Sequence, residues 1–170
     1  EIAKNASAVY FVSKYIKKRF LSGISKDFNN LYVLPNGLER KLHKQPEKNK
    51  EIAFIGRLVK EKGAHIFIES IRSLVKKYPE WKFRIIGTSK AGNEKLKTSY
   101  EKKIIKDFVA LGHNTEYSGF VSNTEVKTMM KTLSILVVPS VWREPFGLTA
   151  LEGFCYGAAV IASKVGGLEE

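Results

Sequence analysis

From Glu51 to Ala162, short apolar runs alternate with helical patterns of apolar residues. That alternation constrains the fold more than any other feature of the chain. Ile52 to Ile55 is an apolar run closed by Gly56, and Gly63 to Tyr78 reads as a helix with Ala64, Phe67, Ile68, Ile71, Leu74, Val75 and Tyr78 on one face. Phe83 to Ile86 is a second strand pattern, closed by Gly87. Leu96, Tyr100, Ile104, Phe108 and Leu111 then recur at helical spacing, with Gly112 in the stop position. Glu116 to Ser118 is a third, short strand. Ser122 and Glu125 form a capping box that opens a helix to about Thr132. Ile135 to Val138 is a fourth strand ended by Pro139, Gly147 to Tyr156 a further helix, and Ala159 to Ala162 a fifth strand. Strands spaced by helices predict parallel βαβ units, and near-continuous apolar runs predict a sheet covered on both faces by helices. The expected class is α/β, a Rossmann-like doubly wound parallel sheet.

The amino-terminal stretch has its own pattern. Ser7 to Val12 reads as a buried strand, after which Ser13 can cap a helix to about Leu21 with Tyr15, Ile16 and Phe20 available for burial. Leu31 to Leu34 reads as another strand, stopped by the turn Pro35-Asn36-Gly37. Leu38 to Lys50 is charged and nearly free of large apolar residues, as a boundary loop would be. The chain thus divides into residues 1–40 and 51–170. It begins at Glu1 and stops just after a strand-like segment, so it is expected to be a piece of a longer protein.

Composition narrows the classes. Hydrophobic residues at 44% and charged residues at 27% of 170 positions suit a folded domain rather than a disordered tail. No apolar run approaches the roughly 18 residues of a membrane-spanning helix. The single cysteine, Cys155, excludes an internal disulfide and a Cys-rich zinc site. The net charge of +12 admits nucleic acid, an anionic membrane surface or a solvated lysine-rich surface as its meaning. Its modest clusters are Lys14-Lys17-Lys18-Arg19 and Lys95-Lys97-Lys102-Lys103-Lys106. No helix-turn-helix, RNP-type strand or zinc-finger spacing accompanies it, which argues against nucleic acid.

Open sheets of this kind bind ligands at the carboxyl ends of the strands, where strand order reverses. With order 3-2-1-4-5 the loops after strands one and four meet there. The first, Gly56 to Gly63, offers Arg57 and Lys62, a planar guanidinium and a mobile point charge suited to phosphate oxygens, or simply two exposed basic residues. The second, Pro139 to Leu148, leads into a helix whose first free N–H groups belong to Phe146, Gly147, Leu148 and Thr149. A helix amino end offers donors and a favourable dipole to an anion. Glu144 precedes that helix. Leu148, Leu151, Phe154 and Cys155 are expected on its apolar face, placing Glu152 beside the core. A carboxylate there either faces a cleft or needs a partner, and being acceptor-only it suits two adjacent sugar hydroxyls.

These segments resemble a known family. Gly56-Arg57-Leu58 with Lys62-Gly63, Pro139-Ser140, Glu144-Pro145-Phe146-Gly147-Leu148 with Glu152, Gly157 to Ser163, and Gly166-Gly167-Leu168-Glu169 are similar, in this order, to the carboxyl-terminal domain of family 4 retaining glycosyltransferases. Residues 7 to 37 resemble that family's last amino-domain strand, helix and crossover. The resemblance implies one half of a GT-B fold, with residues 1–40 a remnant of the acceptor domain and 51–170 the nucleotide-sugar domain. It implies that Arg57 and Lys62 bind the donor pyrophosphate and that Glu152 binds the ribose. Glu144 would lie at the donor sugar, with Phe146, Gly147, Leu148 and Thr149 completing the site. Val121 matches a position against the base, though an ordinary core role fits it nearly as well. Two departures stand out: Gly87 to Gly92 is not the frequent G-x-G-P loop, and Arg143 before Glu144 could add an anion contact.

The implied chemistry is departure of a nucleoside diphosphate from an anomeric carbon, with Glu144, Arg57 and Lys62 as the catalytic set. The cations would stabilise charge growing on the β-phosphate, with no metal or other cofactor required. His43, His65 and His113 are isolated in sequence. The expected donor is a UDP-sugar and the acceptor a glycan or lipid-linked molecule bound through the amino domain. A cytoplasmic setting at the inner membrane face fits the charge. The fragment alone is expected not to transfer sugar. A non-catalytic nucleotide- or nucleic-acid-binding module, or a sugar-phosphate synthase or epimerase on the same fold, remains an alternative.

Overall fold

The computed structural model describes residues 2–24, 28–39, 46–90 and 97–170. His43, Lys95, Leu96 and the Ala91-Gly92 end of the loop after Gly87 lie outside them. Two parallel sheets are present among the described residues. A two-stranded sheet pairs β1 (Val9–Phe11) with β2 (Leu31–Val33), and α1 (Ile2–Asn5) and α2 (Lys14–Leu21) belong to the same part of the chain. The larger sheet is built from β3 (Asn49–Ile55), β4 (Lys82–Ile86), β5 (Thr115–Tyr117), β6 (Leu133–Val138) and β7 (Ala159–Ala162). Its order is β5-β4-β3-β6-β7, every pair parallel. This is the 3-2-1-4-5 arrangement, and it puts the reversal of strand order between β3 and β6.

The helices α3 (Ala64–Lys77), α4 (Ser99–Val109), α5 (Asn123–Thr132) and α6 (Leu148–Cys155) connect these strands. Alternation along β3 divides the core. Phe54 faces a cluster with Phe67, Ile71, Phe83, Ile85, Ile104 and Phe108, while its neighbour Ala53 faces Met130, Leu133, Leu136 and Ala158 on the other side. Each such large side chain taken fully out of water contributes about 1.5–3 kcal/mol. Tyr78, expected on the buried face of α3, is instead its C-cap residue and 38% exposed.

Local chemistry sets the helix starts. Ser13 accepts from the Ile16 N–H at 3.1 Å and caps α2. Ser122 and Glu125 close a reciprocal capping box on α5. The small sheet is latched to the large unit by polar contacts. The Ser13 hydroxyl donates to Pro145 O at 2.6 Å, and the N–H groups of Lys14 and Tyr15 donate to the Glu170 carboxylate at 2.8 and 2.6 Å. Two N–H groups that α2 would leave unbonded at its start are satisfied by that carboxylate.

Candidate nucleotide-sugar site

The carboxyl ends of β3 and β6 open on a cavity of about 430 Å³. Its lining includes Lys62, Ser140, Glu144, Phe146, Gly147, Leu148 and Thr149, with Val12 and Asn36 reaching in from the amino-terminal part. The two loops after these strands form one interlocked piece. Gly63 holds a left-handed conformation (φ 75°), and a Cβ there would lie 1.8 Å from Pro139 O. The Val141 N–H donates to Glu61 O at 3.0 Å, fastening the second loop to the first. A turn of 3-10 helix (Lys60–Lys62) therefore ends directly against the start of the Glu144 segment.

Glu144 is buried, and its Oε1 accepts from Lys62 Nζ at 2.6 Å and from the Ser140 hydroxyl at 2.7 Å. Its backbone is fixed as well, since the Gly167 N–H donates to Glu144 O at 2.7 Å. Ser140 was legible only as a motif residue. Its part here is to hold one oxygen of the carboxylate.

Gly147, left-handed at φ 99°, caps α6, and the Leu148 and Thr149 N–H groups find no acceptor among the described residues. They line the cavity together with Phe146. The face of α6 differs from the one expected. Ala150 and Gly153 are the buried residues, while Leu148 and Phe154 are 49% and 61% exposed. The cause is close approach: a Cβ on Gly153 would lie 2.5 Å from Leu136 Cδ2. Small residues face the sheet, and Glu152, half-buried on the next position round, makes no side-chain hydrogen bond among the described residues.

Arg57, Val121 and Glu152 lie outside the cavity lining. Arg57 is exposed and makes no ion pair among the described residues, but its flanks are fixed. The Gly56 N–H donates to Ile86 O at 3.0 Å, and the Leu58 N–H donates to Thr88 O at 3.3 Å. Val121 is half-buried ahead of α5, beside the largely exposed Phe120. Arg143 lines a separate cleft with Lys14, Lys18, Lys164, Glu169 and Glu170. His65 is exposed on α3, its Nδ1 3.0 Å from the Tyr100 hydroxyl, and His113 lies in a loop. No helix among the described residues is long and apolar enough to cross a membrane.

Known proteins share both the sequence and the fold. Residues 36–170 match the family described as Glycosyl transferases group 1. An uncharacterised glycosyltransferase of Methanocaldococcus jannaschii is 32% identical over 167 residues, covering 98% of this chain and 42% of that protein. The crystal structure of the carboxyl-terminal domain of LpcC, a glycosyl transferase group 1 protein of Francisella tularensis, is 33% identical with a TM-score of 0.57, covering 73% of this chain and 63% of that one. Anabaena HepE, solved with UDP and glucose, shares the fold at a TM-score of 0.76 and 22% identity, over 99% of this chain and 47% of its own. The chain thus spans less than half the length of the archaeal relative. Its sheet order and its likeness to these structures are those of a GT-B carboxyl-terminal domain, and by a match covering most of its length this chain belongs to the glycosyl transferases group 1 family.

Proposed function

We propose that this chain is the donor-binding part of a retaining glycosyltransferase that transfers a hexose from a UDP-sugar to a glycan or lipid-linked acceptor. The observation that carries the reading is the convergence of Lys62, Glu144 and the open amino end of α6 on one cavity at the reversal of strand order. That cavity offers a cation and unpaired N–H donors to a pyrophosphate, and beside them a carboxylate to sugar hydroxyls. UDP bound to HepE, which has the same fold, agrees with this choice of nucleotide.

In this scheme the bond between the anomeric carbon and the β-phosphate oxygen breaks, and the electron pair leaves with UDP. Lys62, Arg57 swinging in from its anchored loop, and the α6 amino end stabilise that charge electrostatically. Glu144 accepts from the donor sugar. Glu152 accepts from the ribose hydroxyls, and Val121 lies against the base. The scheme works through these cations and donors and calls on no metal.

Residues 1–40 are the edge of an acceptor domain, so acceptor contacts come from the remainder of the whole protein, and the isolated chain does not transfer sugar. The charge of +12 suits work at the anionic inner face of a membrane.

A thermal-shift panel of UDP, GDP and ADP tests the reading. At a hundred-fold excess over Kd, UDP should raise Tm by about 5–10 °C for a domain of this size. No shift with any of the three, or stabilisation only by oligonucleotide, would overturn it.

A further inference from the structure

Among the described residues, α4 and α5 both begin with a Ser/Thr followed three residues later by Glu, and of the two α5 alone closes the capping box. On α5, Ser122 and Glu125 exchange bonds reciprocally. On α4, Thr98 accepts from the Glu101 N–H at 3.1 Å, but the Glu101 carboxylate does not return to the Thr98 backbone. It turns inward and is 0% exposed. Its Oε1 accepts from the Thr88 hydroxyl at 2.7 Å and the Tyr117 hydroxyl at 3.3 Å, and its Oε2 accepts from the Ser89 hydroxyl and, at 3.3 Å, the Ser89 N–H. A buried carboxylate is costly unless it is fully hydrogen-bonded, and this one collects donors from α4's neighbours on two strand ends.

The loop it holds is not remote from the proposed site. Thr88 O is the acceptor of the Leu58 N–H, and Leu58, immediately after Arg57, is 0% exposed. A Cβ on Gly87 would lie 2.0 Å from Gly56 O, so the segments on either side of Arg57 rest directly on the Gly87-Thr88 turn. A continuous path of bonds runs from Glu101 through Thr88 to Leu58 and the backbone that carries Arg57.

We propose that Glu101 is a positioning residue of the donor site: by fixing the Thr88-Ser89 turn it sets the loop from which Arg57 reaches the nucleotide. The proposal rests on the donor-site reading above. It explains why a carboxylate is kept fully buried on the face of α4 that also carries Ile104 and Phe108. Hydrogen bonds from Ser89, Thr88 and Tyr117 outweigh the burial that opposes its charge and hold the carboxyl below its ordinary range.

The test uses the whole 170-residue chain. UDP is titrated calorimetrically into the unaltered protein, Glu101→Met, Glu101→Gln, Arg57→Ala and the Glu101→Met/Arg57→Ala double variant. Amide hydrogen exchange at Leu58, Ser89 and Phe83 is read without ligand. Glu101→Met keeps the side-chain length and removes every acceptor. It should weaken UDP binding roughly three- to thirty-fold in the presence of Arg57 and less than about two-fold in its absence. Glu101→Gln, whose amide oxygen can still meet Ser89 while the hydroxyls rotate, should restore much of the loss. Exchange at Leu58 and Ser89 should quicken, while Phe83, bonded to Asn114 O at 2.8 Å, stays protected. Equal losses of affinity with and without Arg57, or unchanged exchange at Leu58, would overturn the proposal. Should Glu101→Met fail to fold, Thr88→Val removes one donor and carries the same exchange test. An unaltered chain that ignores UDP would sink the donor-site reading, and Leu58 exchange would still decide whether Glu101 holds the loop.

Discussion

Lys62 Nζ donates to Glu144 Oε1 across 2.6 Å, so the cation proposed for the phosphate and the carboxylate proposed for the sugar are paired with each other. Ser140 steadies the same oxygen. In the proposed scheme a donor entering the cavity would draw Lys62 toward its phosphate and leave Glu144 Oε1 to accept from the sugar, so that donor binding would exchange one partner for another.

That exchange predicts opposite effects at the two ends of the pair. Lys62→Ala should weaken UDP binding by about 1.5–3 kcal/mol through loss of a charged hydrogen bond. Glu144→Gln should instead tighten binding of UDP, which has no sugar to lose. Release of Lys62 from a partly exposed pair is worth about 1 kcal/mol, roughly five-fold in Kd. Calorimetry on the two variants measures both. Weakening by the same factor in each would show that the pair does not compete with the phosphate.

Gly63 should tolerate no side chain. Its φ of 75° and the Pro139 carbonyl at 1.8 Å from a Cβ leave no room. Gly63→Ala should cost at least about 1–3 kcal/mol from the backbone conformation alone, with Tm falling about 2–4 °C for each kcal/mol. Since the glycine seats one site loop against the other, UDP affinity should drop at temperatures where the variant is still folded. A melting curve and a UDP titration identical to those of the unaltered chain would contradict the interlock.

The sheet was readable because β3, β4 and β6 end in short apolar runs closed by Gly56, Gly87 and Pro139, and helices such as α3 carry a wide apolar stripe. Ser13 and the Ser122–Glu125 box were readable because capping is local chemistry. The face of α6 was not. Leu148 and Phe154 look like core by side-chain size, whereas the helix meets the sheet through Ala150 and Gly153, whose value is close approach rather than apolar area. Glu101 was missed because an acid among lysines reads as surface. The available signal was its phase: residues 101, 104 and 108 share the buried face of α4. For the site, the sequence brought Lys62, Glu144 and Phe146 to Thr149 together but could not foresee that Lys62 would bond Glu144, or that Arg57 would rest outside the cavity.

Glu101 also predicts a pH dependence. Burial works against its charge but the hydrogen bonds win, so its folded-state pKa lies below the ordinary value of 4.5. Such a group adds stability that is fully present above about pH 4.5 and is lost as pH falls through the lower folded-state value. The Tm advantage of the unaltered chain over Glu101→Gln should hold steady from neutral pH to about 4.5 and shrink below it. Glu116 and Glu125, also shifted downward, are present in both proteins and cancel. A gap that widens on acidification would refute the assignment.

Glu152 should distinguish ribose from deoxyribose. Half-buried and without a side-chain hydrogen bond among the described residues, it is free to accept from two hydroxyls. UDP should bind more tightly than 2′-deoxy-UDP by about 1–3 kcal/mol, the cost of leaving an acceptor unmatched. Glu152→Gln should narrow that difference. Equal binding of the two nucleotides by the unaltered chain would move the ribose site elsewhere.

The most direct measurement is a calorimetric titration of UDP into the unaltered chain beside Arg57→Ala. UDP should bind saturably, one to one, and about 1.5–3 kcal/mol more weakly without the guanidinium, while Tm in the absence of ligand stays unchanged because Arg57 is exposed and unpaired among the described residues. No saturable heat at millimolar UDP, or identical binding by the two proteins, would contradict the placement of the donor site at the ends of β3 and β6.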